Sequence, residues 1–283
     1  MMRAFVLVIL VLAACCRCTA GGQAGTQPAT SAAPAVTTST VPASQPSATT
    51  ATAPAVDAEV YGILKQQEEA GRKYATIRAD LTVEVVDRRV GDSEERTGWV
   101  VYQRADQQNA SRFRIHFDTL KQGRGAKLKQ ELDWAFDGHW LAKADPGIRQ
   151  IQRFQVVPEG EKAEPMKLGK GPLPLPFGQD ADEVLKYYEV TTRGPVESDP
   201  KGTRYLAMTA RKEHYRDLDT VHLEVWMDSQ THLPARIVGR DKKNKVTTGE
   251  FRKVETDVSI DQKRMFELPK PLGWTEEKRP LEE

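Results

Sequence analysis

Five histidines, His116, His139, His214, His222 and His232, are the first candidates for chemistry in this chain. None pairs with another at the three-residue helical spacing that holds a metal, and the region they occupy contains no cysteine to complete a ligand set. His222 and Glu224 stand two apart in a strand-like stretch and so share a face, a pattern that is mostly structural. Asp217 and Asp219 read as turn carboxylates rather than an acid/base couple. A G-x-S-x-G elbow is absent, and only Ser93, Ser111, Ser198, Ser229 and Ser259 follow residue 56. Gly123-x-Gly125 and Gly169-x-Gly171 lack the strand-to-helix setting of a phosphate loop. These residues imply no catalysis, no metal and no cofactor.

The chemistry at the start of the chain is different in kind. Cys15, Cys16 and Cys18 are its three cysteines, and everything after Thr19 is free of thiols, which excludes structural disulfides and a thiol nucleophile there. Met1-Met2-Arg3 precedes an apolar run from Ala4 to Ala14, the length of a signal-peptide core and too short to span a bilayer permanently. The run ends Leu12-Ala13-Ala14-Cys15, which resembles the bacterial lipobox. That resemblance implies cleavage before Cys15 and lipidation of its thiol; ordinary cleavage after Ala20 is the alternative. Cys16, where an aspartate would signal retention in the inner membrane, favours the outer membrane by the same analogy. The expected organisation is a signal peptide over 1–14, a tether over 15–56 and one domain over 57–283.

From Thr19 to Val56 the chain is Ala, Thr, Ser, Pro, Gly and Gln with a few Val and no charge. Such a composition cannot bury enough apolar surface to offset chain entropy, so disorder is expected. As a coil it would span roughly 35 Å, and fully extended about 100 Å. The domain that follows carries 39 basic and 40 acidic residues once Arg3 and Arg17 are set aside. Balanced charge gives no field for nucleic acid, and a mean hydropathy of −0.56 does not describe a polytopic membrane protein. A monomer is expected.

The elements that must position any site are a helix and many strands. Val56, Val60, Ile63, Leu64, Ala70, Tyr74 and Ile77 fall on one face of a helix predicted over 56–77. Alternation then predicts strands around Leu81–Val85, Trp99–Tyr102, Phe113–Phe117 and 131–145, where an Asp-Gly pair turns a hairpin. A weaker strand is predicted over 148–157, a loop from Pro158 to Pro176, and a short helix over 180–187. Five further strands follow within 188–256. The class is α+β with one large antiparallel sheet of about ten strands.

One long helix covers the width of only two or three strands. Twist then curls the rest into an incomplete barrel around the N-terminal helix. Trp99, Phe113, Phe117, Trp134 and Trp140 are the candidates to line its interior, and their pattern fits a filled core as well as a lined cavity. Lys121, Arg124 and Lys127 form a basic stretch that reads as solvated loop charge or as contact with anionic lipid headgroups.

Five segments in order resemble the LolA/LolB-type lipoprotein carrier superfamily over roughly Val60 to Thr275. They are "ADLTVEV", "TGWVVYQRADQQNASRFRIHF", "WAFDGHWLAKADPGIRQI", "VHLEVWMDSQTHLPARIVGRD" and "SIDQKRMFELPKPLGW". The resemblance implies an incomplete antiparallel barrel whose apolar interior shelters the acyl chains of lipoproteins, with no catalysis. It maps the family's functional basic residue onto Arg104, although Ala105 stands where the family has proline. The lipobox, the tether, the insert "LKQGRGAKLKQ" and the loop around 165–176 depart from the carriers. They favour an anchored acceptor or local lipid handler over a diffusing carrier. The alternative on the same fold is a protein-binding or envelope-stress-sensing module.

Overall fold

The computed structural model describes residues 57–106, 110–158 and 179–281. The expected signal peptide, Cys15, the expected tether and most of the expected 158–176 loop lie outside these residues. Helix α1 (Ala58–Lys73) begins at Asp57, whose carboxylate accepts from the Glu59 N–H at 2.9 Å, and ends with Arg72 and Lys73 in its last turn. Both ends therefore suit the helix dipole. The predicted helix ran to Ile77, but Tyr74 is already extended and strand β1 (Thr76–Asp87) starts at Thr76. Ile77, Ala79, Leu81 and Val85 are buried with a period of two, and β-branched Thr76 and Ile77 favour the pleated backbone.

The remaining strands of the first half are β2 (Asp92–Gln103), β3 (Arg112–Gln122), β4 (Leu128–Phe136), β5 (Trp140–Asp145) and β6 (Gln150–Gln155). Helix α2 (Ala181–Tyr187) then leads into β7 (Tyr188–Arg193), β8 (Thr203–Ala210), β9 (Thr220–Asp228), β10 (Pro234–Asp241) and β11 (Lys245–Thr256). A short helix α3 (Gln262–Phe266) and β12 (Thr275–Arg279) close the chain.

All twelve strands form one curved, unclosed sheet in the order β12-β6-β5-β4-β3-β2-β1-β11-β10-β9-β8-β7. Two meanders, β1–β6 and β7–β11, join where β1 pairs with β11. The strand count exceeds the expected ten, and the sheet is not wholly antiparallel, because β12 pairs parallel with β6. Its sequence, Thr-Glu-Glu-Lys-Arg, has no apolar alternation to betray it. Bulges bend the sheet where β2 meets β3 at Thr97/Gly98 and where β3 meets β4 at Phe117/Thr119.

Helix α1 lies on the inner face, between two apolar clusters. Ala70 and Tyr74 join a cluster from β1–β5 and β11, whereas Val60, Ile63 and Leu64 join a second built from α2 and β7–β9. On the outer face Ala135, Ala142, Ala144 and Ile151 pack under Leu268 and Trp274 of the C-terminal segment.

Candidate functional site

Register alone lays out the inner face as rows. One row runs Leu120, Arg96, Val83, Gly249, Ile237, Val225 and Leu206 across β3, β2, β1, β11, β10, β9 and β8. Its two ends are buried, Leu120 and Arg96 at one and Val225 and Leu206 of the second cluster at the other, but Val83, Gly249 and Ile237 between them are only half-buried. The next row repeats the pattern: Val85 and Leu223 are buried, while Thr247 and Gly239 between them are half-buried. The result is a band floored by two glycines, about 10 Å across from Val83 to Ile237 at ordinary strand spacing.

Backbone geometry does not demand glycine at 249. A Cβ placed there would meet only the Phe251 ring, at an ordinary 3.8 Å. Gly98 contrasts with it: a Cβ there would strike the His116 carbonyl at 1.8 Å, so the bulge itself requires that glycine. A side chain would therefore be tolerated at 249, whereas a Cβ at Gly239 would meet Thr220 Cγ2 at a tighter 3.3 Å.

At the edge of the band stand two charges. Arg96 is 8 % exposed, and its Nε donates to Glu94 Oε1 at 2.5 Å. Arg96 Nη1 is buried and has no protein acceptor among the described residues. Trp134 Nε1, also on the inner face, is a second buried donor in the same condition.

Three of the residues expected to line the interior face inward. Phe113, Phe117 and Trp134 are 1 %, 0 % and 2 % exposed in the first cluster, with Phe113 stacked on Phe136 at 5.7 Å. Lys143 Nζ lies 5.5 Å from the Trp134 ring centroid. These side chains fill the interior at their level, and the half-open part of the face is the band beside them.

Trp99 and Trp140 face the other way, which corrects the expectation for both. Trp99 opposes His116 in the β2–β3 register and stacks on its ring at 5.3 Å, with Arg114 above at 5.5 Å. Trp140 alternates in step with the outward Ala142 and Ala144. The hairpin decides its side: Asp137 accepts from the His139 and Trp140 N–H groups at 2.9 and 2.8 Å, and Leu141, not Trp140, pairs with Phe136.

The basic residues do not form one site. Arg104 Nη1 donates to the Arg72 carbonyl at the end of α1, satisfying a helix terminus. Lys121 opposes Glu95 near the other end of β2, Lys127 Nζ lies 3.6 Å from Glu95, and Arg124 is an exposed turn residue.

Sequence reading missed one histidine–carboxylate group. On the outer face His116 Nδ1 lies 3.0 Å from Asp133, which also accepts from Arg114 Nε at 2.9 Å, and His116 Nε2 lies 3.2 Å from Asp118. Both ring nitrogens thus have carboxylate neighbours on the outer face, away from the inner-face band. His222 contacts Thr209 at 3.1 Å while Glu224 accepts from the Tyr205 hydroxyl at 2.5 Å, so those two act separately. His214 and Asp217 stand 4.0 Å apart, beyond hydrogen bonding. Among the described residues no three His, Cys, Asp or Glu converge as a metal site.

No protein-family profile and no curated protein sequence matches the chain. Solved structures similar to it include a conserved protein from Thermus thermophilus, at 12% identity and TM-score 0.45, with 78% of this chain and 99% of that one covered. A chain of the Pseudomonas aeruginosa MucA/MucB complex is 18% identical with TM-score 0.39, covering 74% and 60%. An outer membrane lipoprotein-sorting protein domain from Vibrio parahaemolyticus is 8% identical with TM-score 0.34, covering 72% and 95%.

Proposed function

We propose that this protein is a non-catalytic, lipid-anchored protein of the bacterial envelope that holds an acyl chain of a lipoprotein or lipid along the inner-face band. One observation carries the reading: Val83, Gly249, Ile237, Thr247 and Gly239 form a half-buried, mostly apolar floor where the two clusters meet at Ile237, with no backbone reason for glycine at 249. Burying an apolar chain there is favourable by about 25 cal/mol per Å². The anchor in this reading is Cys15, the placement is the outer membrane facing the periplasm, and residues 15–56 are the tether. Phe117 stands in the row next to that of Val83, and Phe113 and Trp134 fill the interior farther along the strands.

Gly249→Val tests the reading. Valine suits a strand and its side chain would stand on the floor of the band. Titration of the full-length protein with a fluorescent fatty acid should show uptake by the wild type and at least a tenfold weaker affinity for the variant, with folding intact. Equal affinities would remove the band as the site.

A further inference from the structure

Arg96 does not behave as an ordinary structural arginine. It sits on the apolar face of the sheet between Leu120 and Val83, in the row that contains Gly249. Glu94, two residues earlier on the same strand face, takes only Nε. Glu94 does not reach Nη1, which is buried with no protein acceptor among the described residues. A guanidinium is never deprotonated in a protein and offers a planar fork that matches two oxygens of a carboxylate or phosphate. An unfilled donor on a buried cation is costly. Its persistence beside a half-buried apolar floor is the arrangement an amphiphile would complete.

The position along the strand agrees with that. Row 96 lies near the start of β2, toward the end of the sheet where the β1–β2, β3–β4 and β10–β11 turns lie together. Those turns expose Arg88, Arg124, Lys242 and Lys243. A head at Arg96 would be near a basic rim, while a chain would run away from it over Val83, Gly249 and Ile237.

We infer that Arg96 anchors the anionic head, a carboxylate or a phosphate ester, of a single-chain amphiphile whose tail occupies the band. This assignment rests on the acyl-binding reading above and adds to it the class of guest. Glu94 is a positioning residue: its bond to Nε holds the guanidinium and leaves Nη1 without a protein partner among the described residues.

Binding of oleate, methyl oleate and inorganic phosphate to the full-length wild type, Arg96→Gln and Arg96→Lys tests the inference. The wild type should bind oleate at least tenfold more tightly than methyl oleate, which has the same tail and no charge. Arg96→Gln should bring that ratio to about one while its affinity for methyl oleate stays that of the wild type, which also shows that the variant is folded. Arg96→Lys, a point charge without the fork, should fall between them. An unchanged oleate preference in Arg96→Gln overturns the assignment, as does binding of inorganic phosphate as tight as that of oleate, which would mark a site for a free anion. If the wild type discriminates neither lipid but binds both, only Arg96 loses its role. If it binds neither, the acyl-binding reading falls as well.

Discussion

Glu68 on α1 accepts a hydrogen bond from the backbone N–H of Ala181, the first residue of α2, at 3.2 Å across 113 positions of sequence. The same carboxylate takes Lys65 Nζ at 2.8 Å and pairs with Arg72, although it is almost fully buried. The Lys65 hydrogen bond, with the Ala181 N–H and the Arg72 charge, lowers its pKa against the burial that would raise it. One side chain thereby fixes both inner-face helices to each other. Glu68→Gln keeps the shape and removes the charge. It should lower stability by about 1–2 kcal/mol, less than for a wholly buried pair because Lys65 and Arg72 reach solvent. Chemical denaturation of the two proteins measures this.

The two tryptophans on opposite faces should respond differently to truncation. Trp134→Ala empties a filled region and should cost about 3–5 kcal/mol. Trp99→Ala removes a half-exposed ring stacked on His116 and should cost about 1 kcal/mol. Equal losses would contradict the register described for β2–β4.

Acid should act through Asp199. Arg193 grips this carboxylate at 2.7 and 2.9 Å, the Val196 N–H adds a bond at 2.9 Å and Trp226 Nε1 another at 2.7 Å. The Arg193 bonds above all, helped by the other two, hold its pKa well below the usual carboxylate range in spite of desolvation. A depressed folded-state value means that stability is fully present above the unfolded pKa of about 4 and is lost as pH falls below it. Thermal melts should therefore show Asp199→Asn less stable than the wild type at pH 7, with the gap closing toward pH 2. A gap that is constant with pH would show that the charge contributes nothing.

Cys15→Ser should release the protein from membranes without altering the melting of the domain. Fractionation of cells followed by blotting measures it, and continued membrane association would refute the lipobox reading.

Much of this architecture was legible because side-chain alternation was strong. Phe113, Ile115 and Phe117 against Arg112, Arg114 and His116 place β3 and both its faces. The Asp-Gly turn locates the β4–β5 hairpin but not the face of Trp140. That depends on how many residues the Asp137 turn consumes, and one residue inverts a strand. β12 escaped because it is polar throughout, and its ties to β6, the backbone ladder with Arg153–Glu276 and Gln152–Glu277, leave no apolar alternation in the sequence. The band escaped for a different reason. Gly239 and Gly249 are visible as glycines inside strand patterns, a sign of close approach by another group. Their adjacency, however, arises only when β10 and β11 pair Gly239 with Thr247 and Ile237 with Gly249. Arg96 in "EERTGW" reads as a surface charge until β1 and β3 flank it with Val83 and Leu120.

The most direct measurement is organic extraction and mass spectrometry of the full-length protein after purification from its native membranes, alongside Gly249→Val prepared identically. The account predicts about one acyl-chain species per wild-type molecule, beyond any lipid covalently bound at Cys15, and its loss from the variant. A wild-type protein that carries no such species, and takes none up when fatty acid is supplied, would contradict it.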